Sequence, residues 1–142
     1  MEHTIALIKP DAWGRMVVGR VYEHIEMTGL EIHHVERVQF DANHTAVMFY
    51  GPQHHDKPYF EDLCNFMASG PCLGFILAGD HAISIWRTAM GPAMWPRPEW
   101  SIRGKYCIPE DPIMRNLVHG SDSRESFLHE VNVLGWRHKV NE

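Results

Sequence analysis

Two short apolar segments, residues 4–8 and 72–78, restrict what this chain can form. Continuous apolar runs of about four to eight residues, bounded by turn residues, are typical of strands buried on both faces. The longest apolar stretch covers only residues 71–78 and contains Gly74, whereas a membrane-spanning helix needs about 20 apolar residues. We therefore predict a water-soluble protein built on buried strands, with no membrane partner.

An amphipathic helix is predicted after the first of these strands. Val17, Val21 and Ile25 recur at helical spacing from Arg15, and Gly29 follows as a C-terminal cap. The next segment, 31–39, has the alternation of a strand, although His34 interrupts its apolar face. One parity of that strand holds Leu30, Ile32, Glu36, Val38 and Phe40.

The middle of the chain is predicted to be helical in two pieces, 42–50 and 56–68, separated by the turn-like pair Gly51-Pro52. After the second buried strand, residues 82–90 have the pattern of an amphipathic helix, and residues 116–119 are a strand candidate. The spacing of Asp122 and Glu125 resembles a capping box. It predicts a last helix that runs through Leu134.

The order of these elements predicts the fold class. Strand, helix, strand, helices, strand, helix, strand and helix indicate an α/β (α+β) protein with a ferredoxin-like antiparallel sheet, βαββαβ, covered by helices. A chain of 142 residues is the size of one domain. We therefore expect residues 1–142 to form a single domain.

Charge and cysteine content exclude several classes of protein. The net charge of −5 argues against the basic face that non-specific nucleic-acid binding requires. The three cysteines form no CxxC pair, so neither a disulfide framework nor a zinc site is indicated. The N-terminal residues lack the pattern of a secretion signal. These features favour a cytoplasmic protein.

His119 is the residue whose position most suggests chemistry. It lies where a short strand meets the turn Gly120-Ser121-Asp122-Ser123, beside backbone N–H groups that can hold an anion. The alternative is a partly buried histidine that the turn satisfies. Because neither GxxxxGK[ST] nor GxGxxG occurs, a P-loop kinase is excluded.

Other candidates are weaker when taken singly. Lys9, Arg87 and Arg103 could converge on phosphate, since cationic side chains match phosphate oxygens, but each could equally be a surface charge. The cluster His54-His55-Asp56 could bind a metal ion, or could be a hydrated loop in which Asp56 caps a helix. The aromatic residues Tyr50, Tyr59 and Phe60 fall at helical spacing near a turn, where core packing is the ordinary role.

Five segments taken together resemble the nucleoside diphosphate kinase family over nearly the whole chain. The most specific is Asn116-x-x-His119-Gly-Ser-Asp-Ser. The segment 76–92 is most similar to the divergent type 6-like group of that family. The five segments are residues 8–11, 66–71, 86–88, 101–104 and 115–123.

The resemblance implies a ping-pong phosphotransferase. His119 would take the γ-phosphate of a nucleoside triphosphate on its pros nitrogen and pass it to a nucleoside diphosphate. Lys9, Arg87 and Arg103 would clamp the phosphates electrostatically. Glu130 matches the carboxylate that orients the imidazole, and Ser121 matches the serine beside it.

The resemblance also assigns the rest of the nucleotide site. Asn116 matches the residue that contacts the sugar hydroxyl, Tyr59 replaces the aromatic residue on which the base stacks, and Tyr50 best matches a tyrosine near the histidine. Ala93 stands where the family commonly has a phosphate-binding threonine, and Arg97 or Ser101 could supply a replacement donor. Mg²⁺ would be held by the nucleotide phosphates rather than by protein ligands.

The loop of residues 92–100 is altered relative to the family, in which it shapes subunit contacts. It contains three prolines and two tryptophans, and three extra residues lie within residues 108–115. The resemblance and the apolar loop predict a homo-oligomer, with a hexamer favoured. The sequence also allows two other functions. The chain could be a non-enzymatic relative that keeps the fold, or a metal-dependent phosphohydrolase that uses His54, His55 and Asp56.

Overall fold

The computed structural model describes residues 1–140 and contains a four-stranded antiparallel sheet. The strand order is β2-β3-β1-β4, which confirms the predicted ferredoxin-like fold. The strands are β1 (Glu2–Ile8), β2 (Glu31–Val38), β3 (Cys72–Gly79) and β4 (Val118–Gly120). No helix within residues 1–140 is long and apolar enough to cross a membrane.

Seven α-helices and one 3₁₀ helix are found in the described part of the chain. The α-helices are α1 (Pro10–Gly14), α2 (Val18–Met27), α3 (Thr45–His54), α4 (Phe60–Ala68), α5 (Ala82–Met90), α6 (Ile102–Tyr106) and α7 (Arg124–Val133). The 3₁₀ helix is Arg137–Val140. The short helices α1 and α6 were not predicted from the sequence.

The sheet separates two apolar layers. Ala6 and Ile8 of β1 pack with α2 and α5 on one face, and Ile5 and Leu7 pack with α3, α4 and α7 on the other. Because both faces of β1 and β3 are covered, their apolar residues run without alternation. The two central strands are therefore buried as the sequence predicted.

The prediction that β2 presents all its apolar residues on one face was wrong. Its register against β3 shifts between Ile32 and His34. Ile32 packs into the layer on one face and Val38 into the layer on the other. A bulge adds one residue to one strand, and a shift of one residue exchanges the two faces.

The predicted break at Gly51-Pro52 is also absent, because α3 continues through both residues. Gly51 has no Cβ to clash with the proline ring that follows it. Pro52 cannot donate to the carbonyl of Met48, the residue four positions earlier. The Nε2 atom of His129 lies 2.7 Å from that carbonyl oxygen and satisfies it from α7.

The start of α7 differs from the prediction as well. Ser123 rather than Asp122 is the N-cap, and its Oγ accepts a hydrogen bond from the N–H of Ser126 at 3.1 Å. Asp122 instead pairs with Arg87. The cap therefore lies one residue later than the sequence indicated, and Asp122 is turned toward another helix.

Candidate active site

A cavity of about 550 Å³ lies beside β4, and we call it the central pocket. Its lining includes eight of the residues predicted from the sequence: Lys9, Tyr50, Tyr59, Arg87, Ala93, Arg103, Asn116 and His119. Ser121 and Glu130 do not line it but lie behind His119. The fold therefore brings together all the predicted site residues.

The ring of His119 is held from behind. His119 pairs with Leu7 of β1, and its carbonyl accepts a hydrogen bond from Trp86 Nε1 at 3.1 Å. Its Nε2 lies 3.2 Å from Glu130 Oε1, at ion-pair distance but without the alignment of a hydrogen bond. Its Nδ1 makes no hydrogen bond to residues 1–140, so this is the nitrogen available to the pocket.

Glu130 is itself fixed by a buried hydroxyl. Ser121 Oγ donates to Glu130 Oε1 at 2.8 Å and accepts the N–H of Ile5 at 3.0 Å. Both polar side chains are almost completely buried. Because a buried carboxylate needs such partners, this chain of contacts holds Glu130 against the imidazole.

Gly120 is required where β4 passes α5. A Cβ at this position would lie 2.7 Å from Trp86 Cδ1 and 2.8 Å from Met90 Cε. Both neighbours belong to the packed core, so they have little room to move. The absence of a side chain lets β4 approach α5 and carry His119 to the pocket.

Two aromatic rings pack against the imidazole of His119. The rings of Phe49 and Tyr50 meet it edge to face, with centroids 5.0 and 5.5 Å away. The Tyr50 hydroxyl is buried without a hydrogen-bond partner in residues 1–140, and burial raises its pKa well above the ordinary value. Tyr50 is therefore a neutral phenol that retains its proton.

Lys9 brings a positive charge into this apolar surrounding. It is only 5% exposed, and its Nζ donates to Met114 O at 2.8 Å and to Asn116 Oδ1 at 2.9 Å. Burial, and then the charge of Arg103, lower the pKa of Lys9 to about 7. When no anion is bound, Lys9 therefore loses its charge as the pH rises above about 7.

Arg103 and Arg87 complete what we call the basic wall, formed with Lys9. Arg103 donates to Gly91 O at 3.0 Å and to Val118 O at 2.7 Å, which holds it against β4. Burial, and then the charges of neighbouring arginines, lower the pKa of Arg103 to about 10. Arg87 is half exposed and is paired with Asp122.

A strained turn at Leu117 precedes His119 in the chain and contacts the backbone of Lys9. Leu117 is fully buried and has a φ of 75°, a conformation that is costly for a branched side chain. Its N–H donates to Asp11 Oδ2 at 3.1 Å, and its carbonyl accepts the N–H of Lys9 at 2.7 Å. These two bonds hold the turn, which sets Asn116 toward the pocket and delays the start of β4 by two residues relative to the prediction.

The replacement donors considered for Ala93 are both occupied. Arg97 donates to the carbonyls of Ala93 and Arg103, and Ser101 Oγ donates to Pro98 O at 2.7 Å. Neither side chain lines the central pocket. Ala93 therefore leaves the pocket without the hydroxyl that the resemblance implies.

The cluster His54-His55-Asp56 does not form a metal site. Within residues 1–140 no three histidine, cysteine, aspartate or glutamate side chains are grouped so that they could hold a metal ion. His54 instead lines the pocket, with its Nδ1 2.6 Å from the Tyr59 hydroxyl. The N-cap of α4 is Tyr59, so Asp56 does not cap that helix either.

The sequence did not predict the roles that three side chains have at this site. Asp11 supports the strained turn, Asp122 pairs with Arg87, and His54 contacts Tyr59. Asp11 could have been found from its place in Lys9-Pro10-Asp11, where an acid follows a strand end. The other two pairings join separate elements and left no local signal.

Comparison with known proteins agrees with this geometry. A family model described as nucleoside diphosphate kinase matches residues 2–137. The chain belongs to the nucleoside diphosphate kinase family. This confirms the resemblance and the prediction of a phosphotransferase of that family.

Relatives of this nucleoside diphosphate kinase chain cover almost its whole length. It is 38% identical to the nucleoside diphosphate kinase of Staphylothermus marinus, over 94% of this chain and 92% of that protein. It is 36% identical to that of Thermoplasma volcanium, over 94% of this chain and 88% of the relative. The family match at residues 2–137 spans every residue that lines the central pocket.

Solved structures of nucleoside diphosphate kinases have the same fold. The enzyme of Encephalitozoon cuniculi superposes with a TM-score of 0.86 at 28% identity, covering 94% of this chain and 88% of that one. The enzyme of Aquifex aeolicus gives a TM-score of 0.82 at 29% identity, covering 93% of each chain. The sheet and its helices are therefore those of the family.

Proposed function

We propose that this chain transfers the γ-phosphate of a nucleoside triphosphate to a nucleoside diphosphate through a phosphohistidine at His119. The observation that carries the proposal is the arrangement of the His119 ring. Its Nε2 faces Glu130, while Nδ1 is available to a pocket lined by three cationic side chains. This is the geometry that a nucleophilic imidazole needs.

The first half-reaction uses the lone pair on His119 Nδ1. That nitrogen attacks the γ-phosphorus, a nitrogen–phosphorus bond forms, and the bond to the bridging oxygen breaks and releases the diphosphate. The imidazole gains positive charge as the bond forms, and the Glu130 carboxylate stabilises the Nε2–H that faces it. The second half-reaction reverses these steps with another nucleoside diphosphate, which gives a ping-pong mechanism.

The basic wall supports the transfer electrostatically. A transferring phosphoryl group carries its negative charge on peripheral oxygens, so preorganised cations lower the barrier. Lys9 and Arg103 are held by backbone carbonyls before any ligand binds. They therefore need little reorganisation when the phosphates arrive.

The nucleoside would lie between Tyr59 and Asn116. Tyr59 is 40% exposed at the pocket mouth, so its ring can stack on a base. Stacking on a ring face does not depend on base identity. The Oδ1 of Asn116 is engaged by Lys9, which leaves its amide N–H groups for a sugar hydroxyl.

Magnesium would enter with the nucleotide. Asp122 is the one carboxylate in the described pocket lining, and it is already paired with Arg87. Such a donor set fits an ion held mainly by phosphate oxygens rather than by a protein cage. When bound, the ion would neutralise part of the phosphate charge, while the residues of the pocket position the phosphorus in line with His119.

The decisive experiment is to incubate the protein with γ-labelled ATP and magnesium and to isolate the protein. We expect label that is labile to acid and stable to base, because it is attached to a histidine nitrogen. The variant His119→Gln should carry no label and should transfer none. His55→Gln is the matched control, since His55 is exposed and does not line the pocket.

Label that persists on His119→Gln would show that another residue is the acceptor and would remove the proposal. The same experiment separates the two alternatives considered above. A non-enzymatic relative would carry no label in the wild type. A phosphohydrolase would release inorganic phosphate without passing label to an added diphosphate.

A further inference from the structure

A buried arginine lies behind the basic wall. Arg97 is 8% exposed, yet it does not line the central pocket. Its guanidinium lies over the Trp95 ring, 4.5 Å from the centroid. It donates to Ala93 O at 2.7 Å and to Arg103 O at 3.3 Å, so it links two residues of the pocket lining by their backbones.

The charge of Arg97 is compensated only weakly within residues 1–140, where it is a minor cause of the lowered pKa of Asp111. Within residues 1–140 no carboxylate lies at ion-pair distance from it, and its Nε is buried without an acceptor. Arg15 offers a contrast, because it also donates to a backbone carbonyl, that of Tyr106 at 3.1 Å, but is paired with Asp111 at 2.9 Å. Removing a charge from water is costly when nothing compensates it.

The guanidinium of Arg97 lies against Arg103, which lines the central pocket. After burial, Arg97 is the first of the charges that lower the pKa of Arg103, and Arg87 follows. Like charges lower the pKa of an arginine only where water screens them poorly. This side of the pocket thus combines three arginines with the single carboxylate of Asp122.

We propose that Arg97 is a positioning residue of the phosphate site, which holds Ala93 and Arg103 by their carbonyls and whose buried charge is balanced by the phosphates of the bound nucleotide. The inference rests on the proposed function, because it needs a polyphosphate in the central pocket. It also explains how the pocket attracts phosphate where Ala93 has no hydroxyl. A charge behind the wall acts through the low-dielectric interior and needs no direct contact.

The proposal predicts that loss of Arg97 strongly weakens nucleotide binding but has a limited effect on the stability of the folded protein. A purely structural arginine would instead affect mainly stability. Arg97→Met removes the charge and both hydrogen bonds but keeps an apolar side chain of similar length. We expect the affinity for magnesium–ADP, measured by calorimetry at fixed ionic strength, to fall at least tenfold. The midpoint of thermal unfolding without nucleotide should fall no further than in Arg15→Met, because a buried charge without an ion-pair partner has been removed.

Two variants control this comparison. Arg15→Met removes a carbonyl-bound arginine whose charge is paired, so it should lower the unfolding midpoint and leave the ADP affinity within twofold of wild type. Arg97→Lys keeps the charge and should recover at least half of the lost affinity on a logarithmic scale. All variants are compared with a wild type that binds ADP and forms the phosphoenzyme.

An affinity of Arg97→Met within twofold of wild type would overturn the inference, and so would an Arg97→Lys that binds as weakly as Arg97→Met. A fall in unfolding midpoint larger than that of Arg15→Met would assign Arg97 to the loop structure alone. If instead the wild type neither bound ADP nor formed the phosphoenzyme, the proposed function itself would fail. The two failures are therefore distinguishable.

Discussion

Lys9 must be charged to act, yet it occupies a site that opposes its charge. Burial and Arg103 bring its pKa to about 7, while the neighbouring Asp11 carboxylate acts in the opposite direction. Phosphates arriving in the pocket would favour the charged form. Lys9 is therefore a side chain through which pH affects this site.

We expect kcat/KM for phosphate transfer to decrease above about pH 7, because a lysine with a pKa of about 7 is charged below that pH and neutral above it. The profile of kcat should decrease at a higher pH, since bound phosphates raise the pKa of Lys9. Steady-state pH profiles measure both limbs. Lys9→Arg stays charged, so its kcat/KM should lack this basic limb; an unchanged limb in that variant would assign the titration to another group.

Ala93 provides a second prediction about a single side chain. Since neither Arg97 nor Ser101 presents a donor to the pocket, a hydroxyl at position 93 should add a hydrogen bond to phosphate. Such a bond contributes about 0.5–1.5 kcal/mol. Ala93→Thr should therefore tighten nucleotide binding by roughly three- to tenfold, as measured by calorimetry. Ala93→Ser should act in the same direction and Ala93→Val should not, and equal affinities for all three would contradict this account.

Helix α3 depends on a contact from another element. Pro52 leaves the Met48 carbonyl without its helical donor, and His129 of α7 replaces that donor. Neither the spacing of apolar residues in a helix nor the tendency of proline to end one predicts this contact between α3 and α7. The contact also links α3, which carries Tyr50, to α7, which carries Glu130.

This exchange predicts a coupling between Pro52 and His129. His129→Ala should lower the free energy of unfolding by about 0.5–1 kcal/mol, because the Met48 carbonyl loses its partner at a solvent-accessible place. In the Pro52→Ala background the backbone N–H returns, so His129→Ala should cost less. Denaturant unfolding of the four proteins of this cycle measures the coupling. Additive effects would mean that His129 does not replace the missing donor.

The loop of residues 91–101 lies at the surface and exposes part of its length to solvent. Only one of the two tryptophans of this loop is largely exposed, because Trp95 packs against the core and Arg97. Trp100, however, is 62% exposed, and Met94 of the same loop is 61% exposed. Met94 lines the central pocket, so Trp100 is the apolar side chain of this loop that is left for a contact between subunits.

We therefore expect a homo-oligomer with an even number of subunits, with a hexamer favoured, whose contacts cover Trp100. Light scattering at micromolar concentration should give the mass of the assembly, and Trp100→Ser should shift it toward smaller species. Val35→Ser changes an exposed apolar side chain on β2, away from that loop, and serves as a comparison. A monomeric wild type would contradict the expectation.

The amino-acid sequence was sufficient to predict the central strands and to name eight of the residues that line the central pocket. Apart from Thr4, the buried residues of the runs 4–8 and 72–78 are apolar, so the period of the side chains was not needed to recognise these strands. The block Asn116-x-x-His119-Gly-Ser-Asp-Ser pointed to histidine chemistry through its resemblance to the nucleoside diphosphate kinase family, because the position of His119 alone left a structural role open.

Tertiary structure alone decided where local rules give way. Leu117 adopts its strained conformation because Asp11, 106 positions away in the chain, accepts its N–H. The helix continues through Pro52 because His129, 81 positions from Met48, supplies a donor. A hydrogen bond of this kind depends on which segments meet in space, and a pattern of neighbouring residues contains no information about such meetings.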